Sequence, residues 1–175
     1  MRGNYLFPKI EDLRDWHKEL LTQPRRGDRA RLRRAGTIEE AAMTPAFHCL
    51  LRYLHRTPAD GGSSADVEKL AALAARVDED EPGTALGTLF ARPKAGSQNP
   101  RVSEARFRRL LTSDDLEQRF AVLRRLIALV KNENRTRFSL AELAGALCHW
   151  TPEHRRQLAY DYYANAPETS QETAS

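Results

Sequence analysis

Apolar residues recur along this chain at spacings of three and four, and no sustained period-two alternation occurs, so the pattern predicts helices throughout. Leu13, Trp16, Leu20 and Leu21 fall on one side of a helix over 10–21, and Pro24 bars its continuation. Asp28 is placed to cap a short helix over 29–35, with Gly36 as its stop. Thr37 and Glu40 form a capping-box pair. Thr44 followed by Pro45 opens a helix whose apolar side is Phe47, Leu50, Leu51 and Leu54. The Gly- and Ser-rich stretch 57–64 reads as a loop. Ser64 then caps a helix carrying Val67, Leu70, Leu73 and Val77, ended by the acidic run at 78–81.

The second half has the stronger periodicity. Ser103 caps a helix bearing Phe107, Leu110 and Leu111. Thr112 or Ser113 caps the next, with Asp114 and Asp115 suited to its positive N-terminal end. Its stripe of Leu116, Phe120, Leu123, Ile127 and Val130 is the clearest in the chain. Ser139 and Glu142 make another capping box before Leu140, Leu143 and Leu147, and Thr151 with Pro152 opens a last helix to about Ala164. The expected fold is an all-α compact helical bundle. The exposed composition of 92–101 marks a candidate linker between helical halves over 1–95 and 96–165, with a disordered tail over 166–175.

Charge changes this picture more than composition does. The formal net charge is only +4, but three blocks each hold six Lys or Arg against one acid: residues 25–34, 92–109 and 119–137. Opposed to them are the acids at 78–81 and a tail from Asp161 onward that has three acids and no Lys or Arg. Opposite-signed faces follow, with the acidic segments left for protein neighbours or solvent. The chain has 23 Arg and 5 Lys. A GC-rich genome alone raises arginine, so the clustering carries the argument. Arginine's planar fork suits phosphate, and like charges this dense gain little from folding without an anionic partner. Two cysteines set far apart make no disulfide framework, and no apolar stretch spans a bilayer, so a cytoplasmic protein without a membrane partner is expected.

Each constellation also has a structural explanation. On adjacent helices, Arg106, Arg108, Arg109, Arg124 and Arg125 flank or oppose the apolar stripes and can form one basic ridge, or else a solvated charged face. Arg119 falls inside the apolar arc of its helix, where snorkelling or pairing with Asp115 is expected. His48 with Cys49 and Cys148 with His149 lack metal-ligand spacing and read as core cysteines and satisfied histidines. Tyr162 and Tyr163 can stack on bases, though helical core packing around Trp150 explains the aromatic cluster better. No phosphate loop, metalloprotease motif or nucleophile elbow occurs, so neither catalysis, a cofactor nor a metal is expected.

The order of "GDRARLRRAGT", "TPAFHCLLRYL", "GTALGTLFAR", "SEARFRRLLTSDDLEQRFAVLRRLIALVK" and "FSLAELAGALCHWTPEHRRQLAYDYY" resembles the CasB family from about Leu13 to Tyr163. That family is the small subunit of Cascade, the type I-E CRISPR surveillance complex of antiviral defence. The resemblance implies an all-helical, non-catalytic subunit, present in two copies in the complex. It would contact other Cascade subunits, the guide RNA–target DNA region and the displaced strand. Carried over by position, the implied nucleic-acid-binding residues are Arg33, Arg34, Arg106, Arg109, Arg124, Arg125, Arg155 and Arg156. Two other classes remain open. A helix-turn-helix regulator would aim a recognition helix at bases. A purely protein-bridging scaffold would use its arginines against acidic partners.

Overall fold

A computed structural model describes residues 9–55, 65–130 and 135–167. The expected loop over 57–64, the Ser64 cap and most of the expected tail lie outside the described residues. Within them the chain forms ten α-helices. They are α1 (Ile10–Leu20), α2 (Arg26–Arg34), α3 (Ile38–Ala42), α4 (Pro45–Tyr53), α5 (Ala65–Ala74), α6 (Leu86–Ala91), α7 (Glu104–Leu111), α8 (Leu116–Leu129), α9 (Leu140–Cys148) and α10 (Pro152–Asn165). The all-α class holds. The β structure among the described residues is a short parallel pair, β1 (Glu79–Asp80) against β2 (Arg137–Phe138), and an isolated antiparallel bridge between Pro93 and Pro100.

The caps explain why the helices begin where they do. Thr37, Thr44, Ser139 and Thr151 each accept a backbone N–H of the first turn through the side-chain oxygen, as expected. The Glu40 carboxylate reaches back to the Gly36 N–H at 2.7 Å. Glu142 instead turns away from its own helix and accepts the Leu86 N–H at 3.0 Å, so it caps α6. Asp115, not Thr112 or Ser113, caps α8, accepting the Gln118 N–H at 2.7 Å. The two hydroxyls are occupied by carbonyls of the preceding turn, Arg108 and Leu110. Asp28 does not cap α2, which starts earlier, at Arg26 after a turn of 3-10 helix over Gln23–Arg25. Asp28 lies within the first turn, where its charge suits the helix dipole.

One continuous core takes side chains from all ten of these helices, α3 through Ala41, with Trp16, Phe47, Phe90, Phe107, Phe138 and Tyr162 fully buried. Helices on both sides of residue 95 share it: α6 packs on α10, and α5 on α9. The α6–α10 approach is close because Gly87 has no side chain; a Cβ there would sit 2.8 Å from both Asp161 Cβ and Tyr162 N. Leu13, Trp16 and Leu20 are buried as the pattern requires, whereas Leu21 ends α1 and is exposed. Leu54, Leu111 and Leu116 are partly buried at the core's edge.

The acidic run is a correction to the sequence reading. It forms an internal staple and is not left for partners. Asp78 accepts Arg29 at 2.7 Å and the Thr136 N–H at 2.8 Å. Burial pushes its pKa up, but the Arg29 and Thr136 hydrogen bonds outweigh that and hold it below the ordinary value. Asp80 accepts Arg14 at 2.7 Å and the Leu140 N–H at 2.9 Å. Glu81 accepts the Thr84 hydroxyl at 2.8 Å. The segment thereby ties α1 and α2 to β2 and the start of α9.

Candidate nucleic-acid interface

The structure divides the arginines of the first basic block into two kinds. Arg29 donates to the Ala75 and Val77 carbonyls, each at 3.0 Å, as well as to Asp78. Arg25 holds Glu19 at 2.8 Å and Asp28 at 3.3 Å. These two are structural. Arg33 and Arg34, at the C-terminal end of α2, have no ion pair among the described residues. Arg34 is exposed and Arg33 half-buried.

Arg33 belongs to a cluster whose third member the sequence reading missed. Arg76, just beyond α5, donates Nη2 to the main-chain carbonyl of Arg33. Arg124 of α8 packs against Gly36, its Nη1 3.5 Å from where a Cβ would stand. Burial, then the proximity of Arg124 and Arg33, lowers the pKa of Arg76. Three guanidiniums from α2, the α5 end and α8 thus converge. Glu40, whose carboxylate lies 3.7 Å from the same Gly36 Cβ position, is held on the Gly36 amide, and Asp78, which also feels the Arg33 charge, is held by Arg29. Arg76 is a lone arginine after an alanine-rich apolar run, so no local charge density signals it.

A second group lies across α8. Arg106 and Arg109 of α7 and Arg125 of α8 line a groove of about 240 Å³ floored by Val122, Leu126 and Leu129. None of the three has an ion pair among the described residues, whereas neighbouring Arg108 lies 4.0 Å from Glu104. Adjacent residues on a helix point about 100° apart. Arg124 and Arg125 therefore serve different sides of α8, one toward Arg33 and Arg76, the other toward Arg106 and Arg109.

The remaining assigned residues stand apart on α10. Arg156 is exposed and lies 3.7 Å from Glu153. Arg155 is half-buried, and its Nε has no hydrogen-bond partner among the described residues. Beside it, Arg119 is buried: it neither snorkels to solvent nor ion-pairs with Asp115, which corrects the expectation. Its Nη2 donates to the Leu147 carbonyl at 3.3 Å and its guanidinium lies 5.2 Å from the Trp150 ring centre.

The aromatics separate likewise. Tyr162 is buried against Phe107, in line with core packing, and has no face left to stack on a base. Tyr163 is 50% exposed. The Cys49 thiol turns to Glu19, and the His48 ring to the Ala42 carbonyl. No group of three or more His, Cys, Asp or Glu among the described residues is arranged to hold a metal. No helix among them is long and apolar enough to cross a membrane.

Comparison with known proteins agrees with this fold. No curated protein sequence matches the chain. A chain in the crystal structure of E. coli Cascade bound to a PAM-containing dsDNA target superposes with a TM-score of 0.62 at 20% sequence identity, covering 91% of this chain and 97% of that one. At that identity the likeness concerns the fold. The sequence itself matches the family model for CRISPR-associated protein Cse2 over residues 28–163, from Asp28 of α2 to Tyr163 of α10. With most of its length so matched, the chain belongs to the CRISPR-associated Cse2 family.

Proposed function

We propose that this chain is the non-catalytic small subunit of a Cascade-type CRISPR surveillance complex, and that it holds nucleic-acid backbone through its unpaired arginines. The observation that carries the reading is the groove where Arg106, Arg109 and Arg125 converge without a carboxylate. Phosphates supply the missing counter-charge, and a guanidinium fork accepts them with two parallel hydrogen bonds. The Arg33, Arg76 and Arg124 cluster supports the same reading from the other side of α8. Family membership and the Cascade chain's fold supply the context. In it, guide pairing reads sequence and the protein contributes charge and shape. Arg34 extends the surface, while Arg155 and Arg156 offer a separate basic patch on α10. Other Cascade subunits and a second copy of the chain are the protein partners.

The test is salt-dependent binding. About four to six phosphate contacts give a log–log slope of roughly −3 to −5. Double Arg-to-Ala changes at 33/34, 106/109 and 124/125 are expected to weaken binding to all sequences alike and to flatten the slope. If all three pairs leave affinity and slope unchanged, the backbone reading fails and the protein-bridging scaffold takes its place. Sequence-selective binding by the isolated chain points instead to the helix-turn-helix regulator, for which the short turn between α7 and α8 is the relevant geometry. Purification from the native operon is expected to bring a guide-RNA complex with it.

A further inference from the structure

Arg106 lines a second depression as well as the α7–α8 groove. This one, of about 480 Å³, lies between the 92–101 segment, the start of α7 and the end of α10, and includes Lys94, Arg101, Glu104 and Tyr163. Its walls are held in place. The 92–101 segment closes on itself through Lys94 N–H to Asn99 carbonyl at 3.1 Å and Arg101 N–H to Arg92 carbonyl at 2.9 Å. It is therefore a built wall, whatever its composition suggests about a linker. Tyr163 is fixed by its hydroxyl, which donates to Glu104 at 3.1 Å. It is also fixed by edge-on contacts with Phe107 and Tyr162, at ring-centre distances of 6.1 and 5.3 Å. Half its surface still faces solvent. Lys94, Arg101 and Arg106 have no ion pair among the described residues, and Glu104, the one acid among the described lining residues, is engaged by Tyr163 and Arg108.

We propose that this depression takes one unpaired base of a single-stranded nucleic acid, with the Tyr163 ring as its platform and Lys94, Arg101 and Arg106 on the flanking phosphates. An exposed, immobilised aromatic ring beside three cations that have no ion pair among the described residues matches a ligand that is flat and apolar at one point and anionic on either side. A base in a duplex has no free face to offer it. Arg106 joins this pocket to the α7–α8 groove, so one strand can run from Arg125 and Arg109 past Arg106 to Tyr163. The inference rests on the backbone-binding reading and adds strand type and a residue that reads the base face.

The experiment uses the full chain at low salt and fluorescence anisotropy with a labelled oligothymidylate, the same-length abasic oligonucleotide and a duplex of that length. The base-bearing single strand is expected to bind at least about five-fold more tightly than the abasic one, the lower end of base–aromatic stacking. Tyr163→Ala is expected to erase that difference, while Tyr163→Phe, which keeps the ring and loses only the Glu104 hydrogen bond, retains it. An oligonucleotide carrying 5-iodouracil is expected to photocrosslink to Tyr163. Equal affinity for base-bearing and abasic strands, or an unchanged preference in a folded Tyr163→Ala variant, overturns this inference alone. Failure of both strands and the duplex to bind overturns the backbone reading with it. Preference for an acidic peptide over either strand identifies a protein site and overturns the base pocket.

Discussion

The Tyr162 ring lies flat on Phe107, with ring centres 3.9 Å apart and 10° between the planes, and its hydroxyl donates to the Val102 carbonyl at 2.7 Å. This contact pins α10 to α7 and so fixes the helix that presents Arg106 and Arg109. Tyr162→Phe keeps the stack but orphans a buried carbonyl, for an expected loss of about 1–3 kcal/mol. Phe107→Ala removes the platform and leaves a cavity, for about 3–5 kcal/mol. Urea unfolding checks both, and a Tyr162→Phe midpoint equal to the parent's would discount the Val102 bond.

Two glycines in helices are expected to respond oppositely to alanine. At Gly87 the new methyl meets α10 backbone, which cannot rotate aside, so Gly87→Ala is expected to destabilise by about 1–3 kcal/mol despite alanine's helix preference. At Gly27, inside α2, nothing lies within 4 Å of a Cβ, so Gly27→Ala is expected to stabilise by about 0.5–1 kcal/mol. Thermal melts of the two variants should bracket the parent.

His17 is buried in α1, with Nε2 3.0 Å from the Val77 carbonyl. Burial lowers its pKa, and Arg29 adds to the effect, against the opposing pull of the Val77 carbonyl and Asp80. The folded chain thus keeps His17 neutral where the unfolded chain, with its ordinary value of 6.5, takes up a proton. The stability that neutral His17 contributes is present above the unfolded value and is lost as the pH falls below it. Urea midpoints are expected to drop between about pH 7 and 5.5, the window set by histidine's ordinary pKa. His17→Gln should lessen that drop, with the remainder from His154, whose pKa burial also lowers. A parent midpoint flat across the window would refute the buried-neutral assignment.

The helices were legible because their signals are local. The spacing of Phe120, Leu123 and Ile127 and the hydroxyls of Thr37, Thr44, Ser139 and Thr151 act within a turn or two of their own residues. What the sequence concealed is non-local. Asp78 and Asp80 look like solvated acids until the fold carries Arg29, Arg14 and the start of α9 to them. Glu142 has a perfect capping-box position, yet the Leu86 amide of another helix outcompetes its own. The site shows the same limit. The density of arginines in 25–34 suggested an anion site, but only tertiary contacts separate Arg29, spent on Asp78 and two carbonyls, from Arg33 and Arg34. Arg76 joins them across a gap of more than forty residues in sequence.

That division between arginines spent within the fold and arginines with no ion pair among the described residues yields the sharpest test of the proposed interface. Arg29→Gln leaves Asp78 without its cation and frees two carbonyls, so it is expected to cost about 1–3 kcal/mol of stability. It should leave the salt dependence of nucleic-acid binding unchanged, because the Arg29 charge is already spent. Arg76→Gln reverses the pattern. Removing a half-buried cation that Arg33 and Arg124 repel offsets the lost bond to the Arg33 carbonyl, so stability is expected to stay within about 1 kcal/mol. Binding should weaken for every sequence alike, with a log–log salt slope shallower by about one, the signature of one lost phosphate contact. If Arg33, Arg76 and Arg124 grip the same phosphate, Arg76→Gln and Arg124→Gln together should cost less affinity than the sum of the two alone. Strict additivity assigns them separate phosphates. An Arg76→Gln protein that binds with the parent's affinity and slope removes this cluster from the interface and leaves the α7–α8 groove to carry it.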